Sequence, residues 1–220
     1  MQNLKGIIFD MDGLMFDTEL IYYQATQQVA DEMGFDYNFS IYEDFIGISD
    51  AELWQFYHQK YDPVFGQKKV STFIDRAFNR GIELFEAGTA KMKPGLLELL
   101  DFLDKEKLAR VIATSNQRRI VDILLKNHGL TKEFSHIISF ENVTRAKPDP
   151  EIFLKAQSSL ALAKHELLIL EDSTNGILAA EKAGINVVMV PDLIEPTPVI
   201  SEKTLAILPS LKEIPNFLKK

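Results

Sequence analysis

The chain has no cysteine among its 220 residues, which removes disulfides, thiolate metal sites and a cysteine nucleophile at once. Its chemistry must come from oxygen and nitrogen side chains. It has no excess of positive charge: 24 Lys and Arg stand against 32 Asp and Glu, for a net charge of -8. The dense cationic surface that a phosphate backbone demands is missing, so nucleic acid is not an expected partner. No apolar run approaches the roughly 20 residues that a membrane span needs, and the first residues lack the basic and apolar regions of a secretory signal. A soluble cytoplasmic protein, most simply a monomer, is expected. The four histidines show no metal-ligand spacing. Internal repeats and low-complexity tracts are absent too. What is present is 46% hydrophobic residues, enough for a sizeable core in one domain, or in one domain carrying an insert.

Two textures alternate along the chain. The run GIIF before Asp10 is short, lacks strict polar alternation and ends in an Asp-Gly turn signal, as a strand covered on both faces would. From Asp17 to about Gly88 strand-like Val/Ile runs are missing and helical spacing takes over: Ile21, Ala25, Val29 and Met33 recur every four residues behind a capping Thr18 or Asp17. Trp54, Tyr57, His58 and Tyr61, and then Phe73, Ile74, Ala77 and Phe78, continue the pattern. After that, strand and helix alternate. Helices are expected around Leu96–Leu103, Ile120–Leu124, the stretch PEIFLKA and the stretch ending EKAG. Strands are expected in ARVIATSN, HIISF, LLILED and NVVMV. Parallel strands need crossovers and crossovers are usually helical, so the fold class is α/β, a Rossmann-like parallel sheet with an inserted helical domain. The expected boundaries are 1–16 and 89–220 for the α/β core and 17–88 for the helical insert. The Pro-rich stretch PDLIEPTP reads as a surface loop.

In an open parallel sheet the ligand crevice lies at the carboxyl ends of the strands, so the strand ends matter most. The first carries Asp10 and Asp12, the second Thr114, Ser115 and Asn116, and the LLIL strand Glu171 and Asp172, while Lys147 sits in the loop AKPDP. Four carboxylates in one crevice repel strongly unless a cation sits among them, and hard oxygen ligands suit Mg²⁺. The hydroxyls and Lys147 then suit phosphate oxygens. Asp10 and Asp12 share one side of an extended segment, so one can attack phosphorus while the other handles a proton. Backbone N–H groups in the turn around Gly13 are expected to help hold the phosphoryl oxygens. Against this, a lone DxD is often a turn, a lone lysine is usually a solvated surface charge, and Thr114 to Asn116 alone would most simply cap the next helix.

The stretches DMDGLMFDTE, VIATSN, RAKPDPEIF and LILEDSTNGILAAEKAG, in that order, resemble the motifs of the haloacid dehalogenase superfamily in its β-phosphoglucomutase and phosphatase-like branch. The resemblance covers essentially the whole chain. It implies Asp10 as the nucleophile that becomes an aspartyl-phosphate, Asp12 as general acid and base, and Thr114 and Lys147 on the phosphoryl oxygens. It implies Mg²⁺ on Asp172, Asp10 and the Asp12 carbonyl, with Glu171 acting through bound water. Around the phosphate or substrate it gathers Asp10, Met11, Asp12, Gly13, Thr114, Ser115, Asn116 and Lys147, with Glu19 and Gly47 from the helical insert, which would serve as a cap. Dehalogenation is not expected, since enzymes of that kind lack the second aspartate. Mutases of the family carry a histidine where this chain aligns Tyr22 and an arginine in the loop where GISD offers Ser49 and Asp50, and Glu19 in DTE resembles the phosphatases. Arg76 and Arg80 remain as other sources of positive charge. The expected activity is therefore hydrolysis of a small phosphomonoester, a sugar or nucleoside phosphate. A phosphomutase is the alternative, and a phosphate-sensing protein without catalysis is a third possibility.

Overall fold

The computed structural model describes residues 3–46, 48 and 50–219. The strands are β1 (Gly6–Phe9), β2 (Ala109–Ala113), β3 (His136–Ile138), β4 (Leu167–Glu171), β5 (Asn186–Met189) and β6 (Ala206–Ile207). The helices are α1 (Glu19–Met33), α2 (Phe39–Glu43), α3 (Asp50–Phe65), α4 (Gln67–Glu86), α5 (Leu96–Glu106), α6 (Arg118–Asn127), α7 (Glu151–Leu160), α8 (Thr174–Ala183), α9 (Pro198–Ser201) and α10 (Ile214–Leu218). The chain divides into two compact units, Met1–Asp17 with Met92–Lys220, and Thr18–Lys91. No helix among the described residues is long and apolar enough to cross a membrane.

The first unit is built on a sheet of order β3-β2-β1-β4-β5-β6, with every strand pair parallel. The central strands read as uninterrupted apolar runs because both faces are covered: all residues of β1 and β4 are buried. From β1 the chain winds outward through β2 to β3, then crosses back to β4 on the other side of β1. That reversal places the topological switch point between β1 and β4, where such sheets open a crevice. Ile8, Val111, Phe153, Ile169, Ile177 and Val187 meet in the core beneath it. Phe16 and Met92 form an antiparallel bridge, so the chain leaves this unit and re-enters it at one spot.

The second unit is helical, as the spacing predicts. Val29, Ala30, Tyr57, Tyr61, Val70 and Phe73 form its core. Phe35 is stacked between Phe65 and Phe73, with ring centroids 4.3 and 4.4 Å away. The aromatic face of α3 is divided: Tyr57 and Tyr61 are buried, whereas Trp54 is exposed.

Three local details go beyond the sequence reading. Thr18 stands at the start of α1 but makes no side-chain cap; its Oγ1 is buried without a partner among the described residues. The N-cap of α6 is Gln117; Thr114 and Asn116 donate to Asp12 while their side-chain oxygens accept from the Asn116 and Gln117 amides. After the Pro-rich loop come α9 and the two-residue β6, too short for any periodicity to announce.

Candidate active site

Parallel register assembles the site. Phe9 pairs with Ile112 on one side and Leu170 on the other, so one further step along each strand puts Asp10 level with Ala113 and Glu171. The Asp10 amide continues the ladder by donating to the Leu170 carbonyl at 3.0 Å. Lys147 enters from the loop before α7. That loop is clasped by Glu151: its Oε2 accepts from the Thr144 amide at 3.0 Å, the Thr144 hydroxyl at 2.8 Å and the Arg145 amide at 3.0 Å, and its Oε1 pairs with Lys155 at 2.8 Å. Lys155 and then Thr144 draw the Glu151 carboxyl down to about 2. The Lys147–Pro148 peptide bond is cis.

Lys147 is not a solvated surface charge. Its side chain is 6% exposed, and its Nζ donates to Asp10 Oδ1 at 2.5 Å and Glu171 Oε1 at 2.6 Å. It lies 4.9 Å from the centroid of the Phe153 ring, which adds a cation–π contact. Burial pushes the lysine pKa down, but the Asp10 and Glu171 charges more than reverse this and hold it protonated. For Asp10 burial dominates and raises the carboxyl to about 8; Lys147 opposes the shift, and Glu171 and Asp12 add to it. One ammonium does not balance the surrounding carboxylates, which adds to the tendency of Asp10 toward its neutral form.

Glu171 is fully buried. Its Oε2 accepts from the Asp172 amide at 2.8 Å, the Ser173 amide at 2.7 Å and the Ser173 hydroxyl at 3.0 Å. The same hydroxyl caps α8 by accepting from the Gly176 amide at 3.1 Å. Gly176 has to be glycine here, since a Cβ would lie 1.7 Å from Glu171 Oε1. Asp10, Glu171 and Asp172 each bring a carboxylate oxygen within 4.8 Å of the others. An all-oxygen set of anionic donors at this spacing fits a hard divalent ion such as Mg²⁺.

Asp12 has a separate set of partners. Its Oδ2 accepts from the Thr114 hydroxyl at 3.1 Å and its Oδ1 from the Asn116 side-chain amide at 3.0 Å. The Asn116 backbone amide in turn donates to Thr114 Oγ1 at 3.0 Å. The two aspartates of DMD therefore differ in their neighbours: Asp10 faces the Lys147 ammonium, and Asp12 accepts from two neutral donors.

Asp10, Asp12, Thr114, Asn116, Lys147, Glu171 and Asp172 are thus brought together. Ser115 is exposed. The Met11 side chain is fully buried, and its carbonyl is occupied by the amides of Met15 and Phe16. Within that turn the Gly13 amide itself donates to the Phe16 carbonyl at 2.9 Å. Gly13 matters through its shape, with φ +73° and space where a Cβ would lie 2.2 Å from Asp172 Oδ2. Glu19 belongs to the helical unit, where its carboxylate accepts from the Tyr42 hydroxyl. Gly47 and Ser49 lie outside the described residues, as does the Asp50 side chain. One residue escapes the sequence reading. Asp192, in the stretch read as a surface loop, has a side chain only 6% exposed and paired with Lys93.

The family model for haloacid dehalogenase-like hydrolases matches residues 7–190, and the chain belongs to that family. It is similar to the "Phosphorylated carbohydrates phosphatase" of Thermotoga maritima, 29% identical over 83% of this chain and 82% of the relative. It is 33% identical to the Drosophila melanogaster protein named "Probable pseudouridine-5'-phosphatase", over 87% of this chain and 84% of the relative. A Thermotoga maritima crystal structure provisionally named a beta-phosphoglucomutase superposes with a TM-score of 0.82 at 28% identity, covering 98% of this chain and 99% of that one.

Proposed function

We propose that the protein is a Mg²⁺-dependent phosphatase that hydrolyses small phosphomonoesters, sugar or nucleoside phosphates, through an aspartyl-phosphate on Asp10. The observation that carries this reading is the division of partners between the two aspartates: Lys147 on Asp10, Thr114 and Asn116 on Asp12. Asp10 Oδ attacks phosphorus in line, and the P–O bond to the alcohol breaks as Asp12 delivers a proton to the departing oxygen. Water then attacks the aspartyl-phosphate, Asp12 takes its proton, and phosphate leaves with Asp10 restored. Lys147 balances charge on the phosphoryl oxygens and keeps Asp10 oriented. The divalent ion, when bound to Asp10, Glu171 and Asp172, supplies electrostatic stabilisation of the transferred phosphoryl group. The helical unit is the cap that selects the substrate.

Hydrolysis is favoured over phosphoryl shift by the state of the two arginines of the helical unit. Arg76 and Arg80 are both engaged by Glu32, and Arg80 also by Glu83 and Gln28. Their charge is already balanced. Tyr22, at the mutase histidine's place, packs edge-on against Phe85 with centroids 5.1 Å apart. A colorimetric phosphate-release assay over a panel of sugar and nucleoside phosphates tests the reading, with Mg²⁺ and with EDTA. Turnover is expected only with Mg²⁺. Glucose 6-phosphate formed from β-glucose 1-phosphate and a bisphosphate primer, without free phosphate, would establish the mutase instead, and no turnover on any ester would leave a binding protein.

The raised Asp10 carboxyl gives a pH test. Its ordinary value is 3.8 and its folded value about 8. Between the two, the folded chain keeps a proton that the unfolded chain has released, so metal-free stability falls as pH rises through this window. A bound divalent ion takes over the role of that proton. The rise in Tm on exchanging EDTA for Mg²⁺ is therefore expected to be larger near pH 8 than near pH 6, and equal gains would contradict it.

A further inference from the structure

The residue after Pro191 carries a buried oxygen with no partner among the described residues. β5 is registered on β4, with Met189 level with Glu171 and the Val190 amide donating to the Glu171 carbonyl at 2.8 Å. Asp192 therefore follows at the carboxyl end of the strand beside β4, in the same row of strand ends as Asp10 and Asp172. Its Oδ1 is paired with Lys93 Nζ, and Lys93 is tied to the Asp10 loop because its own amide donates to the Met15 carbonyl at 2.9 Å. Its Oδ2 is buried and accepts nothing among the described residues.

That oxygen points over Gly13. It lies 3.1 Å from where a Gly13 Cβ would stand, and Asp172 Oδ2 lies 2.2 Å from the same point. Two carboxylate oxygens thus converge on one small region kept open by a glycine. A buried carboxylate oxygen without a donor is unfavourable, and a further carboxylate beside it makes it more so. A donor of positive character resolves both. Mg²⁺ keeps several of its waters when it binds protein, and those waters are strong donors.

We infer that Asp192 is a positioning residue of the cation site: its Oδ2 accepts a hydrogen bond from a water carried by the divalent ion on Asp10, Glu171 and Asp172. Lys93 fixes the carboxylate in that orientation. The assignment rests on the cation reading given under Proposed function, and it adds a carboxylate outside the ligand set that sets how tightly the ion is held. Partners of this kind typically change metal affinity 10- to 100-fold.

The test uses Mn²⁺ alone, titrated into the full chain and followed by loss of the free-ion EPR signal, so that no turnover is required. Asp192→Asn keeps the shape and loses the charged acceptor, and it is expected to weaken Mn²⁺ binding by about 10- to 100-fold. Asp172→Asn should weaken it further. Asp122→Asn, which removes an equal charge from an exposed face of α6, should leave binding unchanged. Binding by Asp192→Asn within about twofold of wild type, with Asp172→Asn defective, would overturn the role of Asp192 while leaving the cation site standing. Equal losses in Asp192→Asn and Asp122→Asn would reduce the effect to bulk charge and overturn it as well. Wild-type binding no tighter than that of Asp172→Asn would overturn the cation reading itself. Melting curves keep the test independent of folding defects: with chelator present Asp192→Asn is expected to melt no lower than wild type, and to gain less on adding Mn²⁺. A variant that melts well below wild type yet gains the full increment would assign Asp192 to the scaffold only.

Discussion

Replacing Asp10 by asparagine is expected to lower phosphate release by roughly 10⁴-fold or more, the scale on which loss of a covalent nucleophile is felt. An amide cannot form the acyl phosphate, and two neighbouring carboxylates are already engaged: Glu171 has both oxygens committed to donors, and Asp12 is held by Thr114 and Asn116. The fold should not suffer. Lys147 keeps Glu171 as a partner, and the group removed is one that burial already pushes toward its neutral form, so the metal-free variant near pH 8 should melt at or above wild type. Acid-quenched protein from a reaction with labelled ester provides the check: label retained on wild type and absent from the variant. Turnover in Asp10→Asn within about tenfold of wild type would remove Asp10 from the nucleophile's role.

Lys147→Met carries the second large effect, and it acts on stability as well as on rate. A methionine fills the stem's volume against Phe153 but leaves Asp10 and Glu171, 8% and 0% exposed, facing each other without a cation. Breaking a buried pair by removing one partner costs about 3–5 kcal/mol, roughly 10 °C in Tm for a chain of this size. The loss should be smaller near pH 6 than near pH 8, because at the lower pH a proton on Asp10 relieves the repulsion. Thermal melts in EDTA at the two pH values measure it. An unchanged Tm at both would mean that the ammonium contributes nothing net to the folded state. Activity should fall with it, since no fixed cation would then remain beside the nucleophile.

Much of this architecture is legible in the sequence because its signals are strong and local. Short apolar runs such as GIIF and LLIL, bounded by turn signals, read as strands covered on both faces, and polar groups at their ends mark a crevice. Parallel register then does the rest, carrying Asp10 alongside Glu171 from opposite ends of the chain. What could not be read depends on three-dimensional neighbours. A single lysine in a Pro-flanked loop looks the same whether it is solvated or buried, and only the fold brings Lys147 against two carboxylates. Thr114 and Asn116 carry capping chemistry by type, and only the fold shows that their donors also reach Asp12. The Gly13 amide was free in principle, but the tight return to Phe16 consumes it. Asp192 was hidden by its surroundings: prolines and charges signal an exposed loop, and nothing in PDLIEPTP announces that its aspartate turns inward to meet Lys93. β6, only two residues long, had no period to detect.

The backbone bridge between Phe16 and Met92 makes a socket. Whatever peptide is spliced between those positions begins and finishes at a single place on the scaffold, and the entropy of closing a longer or shorter excursion changes only logarithmically with its length. Evolution, or an engineer, can thus exchange the whole helical module while the aspartates, the lysine and their register are inherited intact.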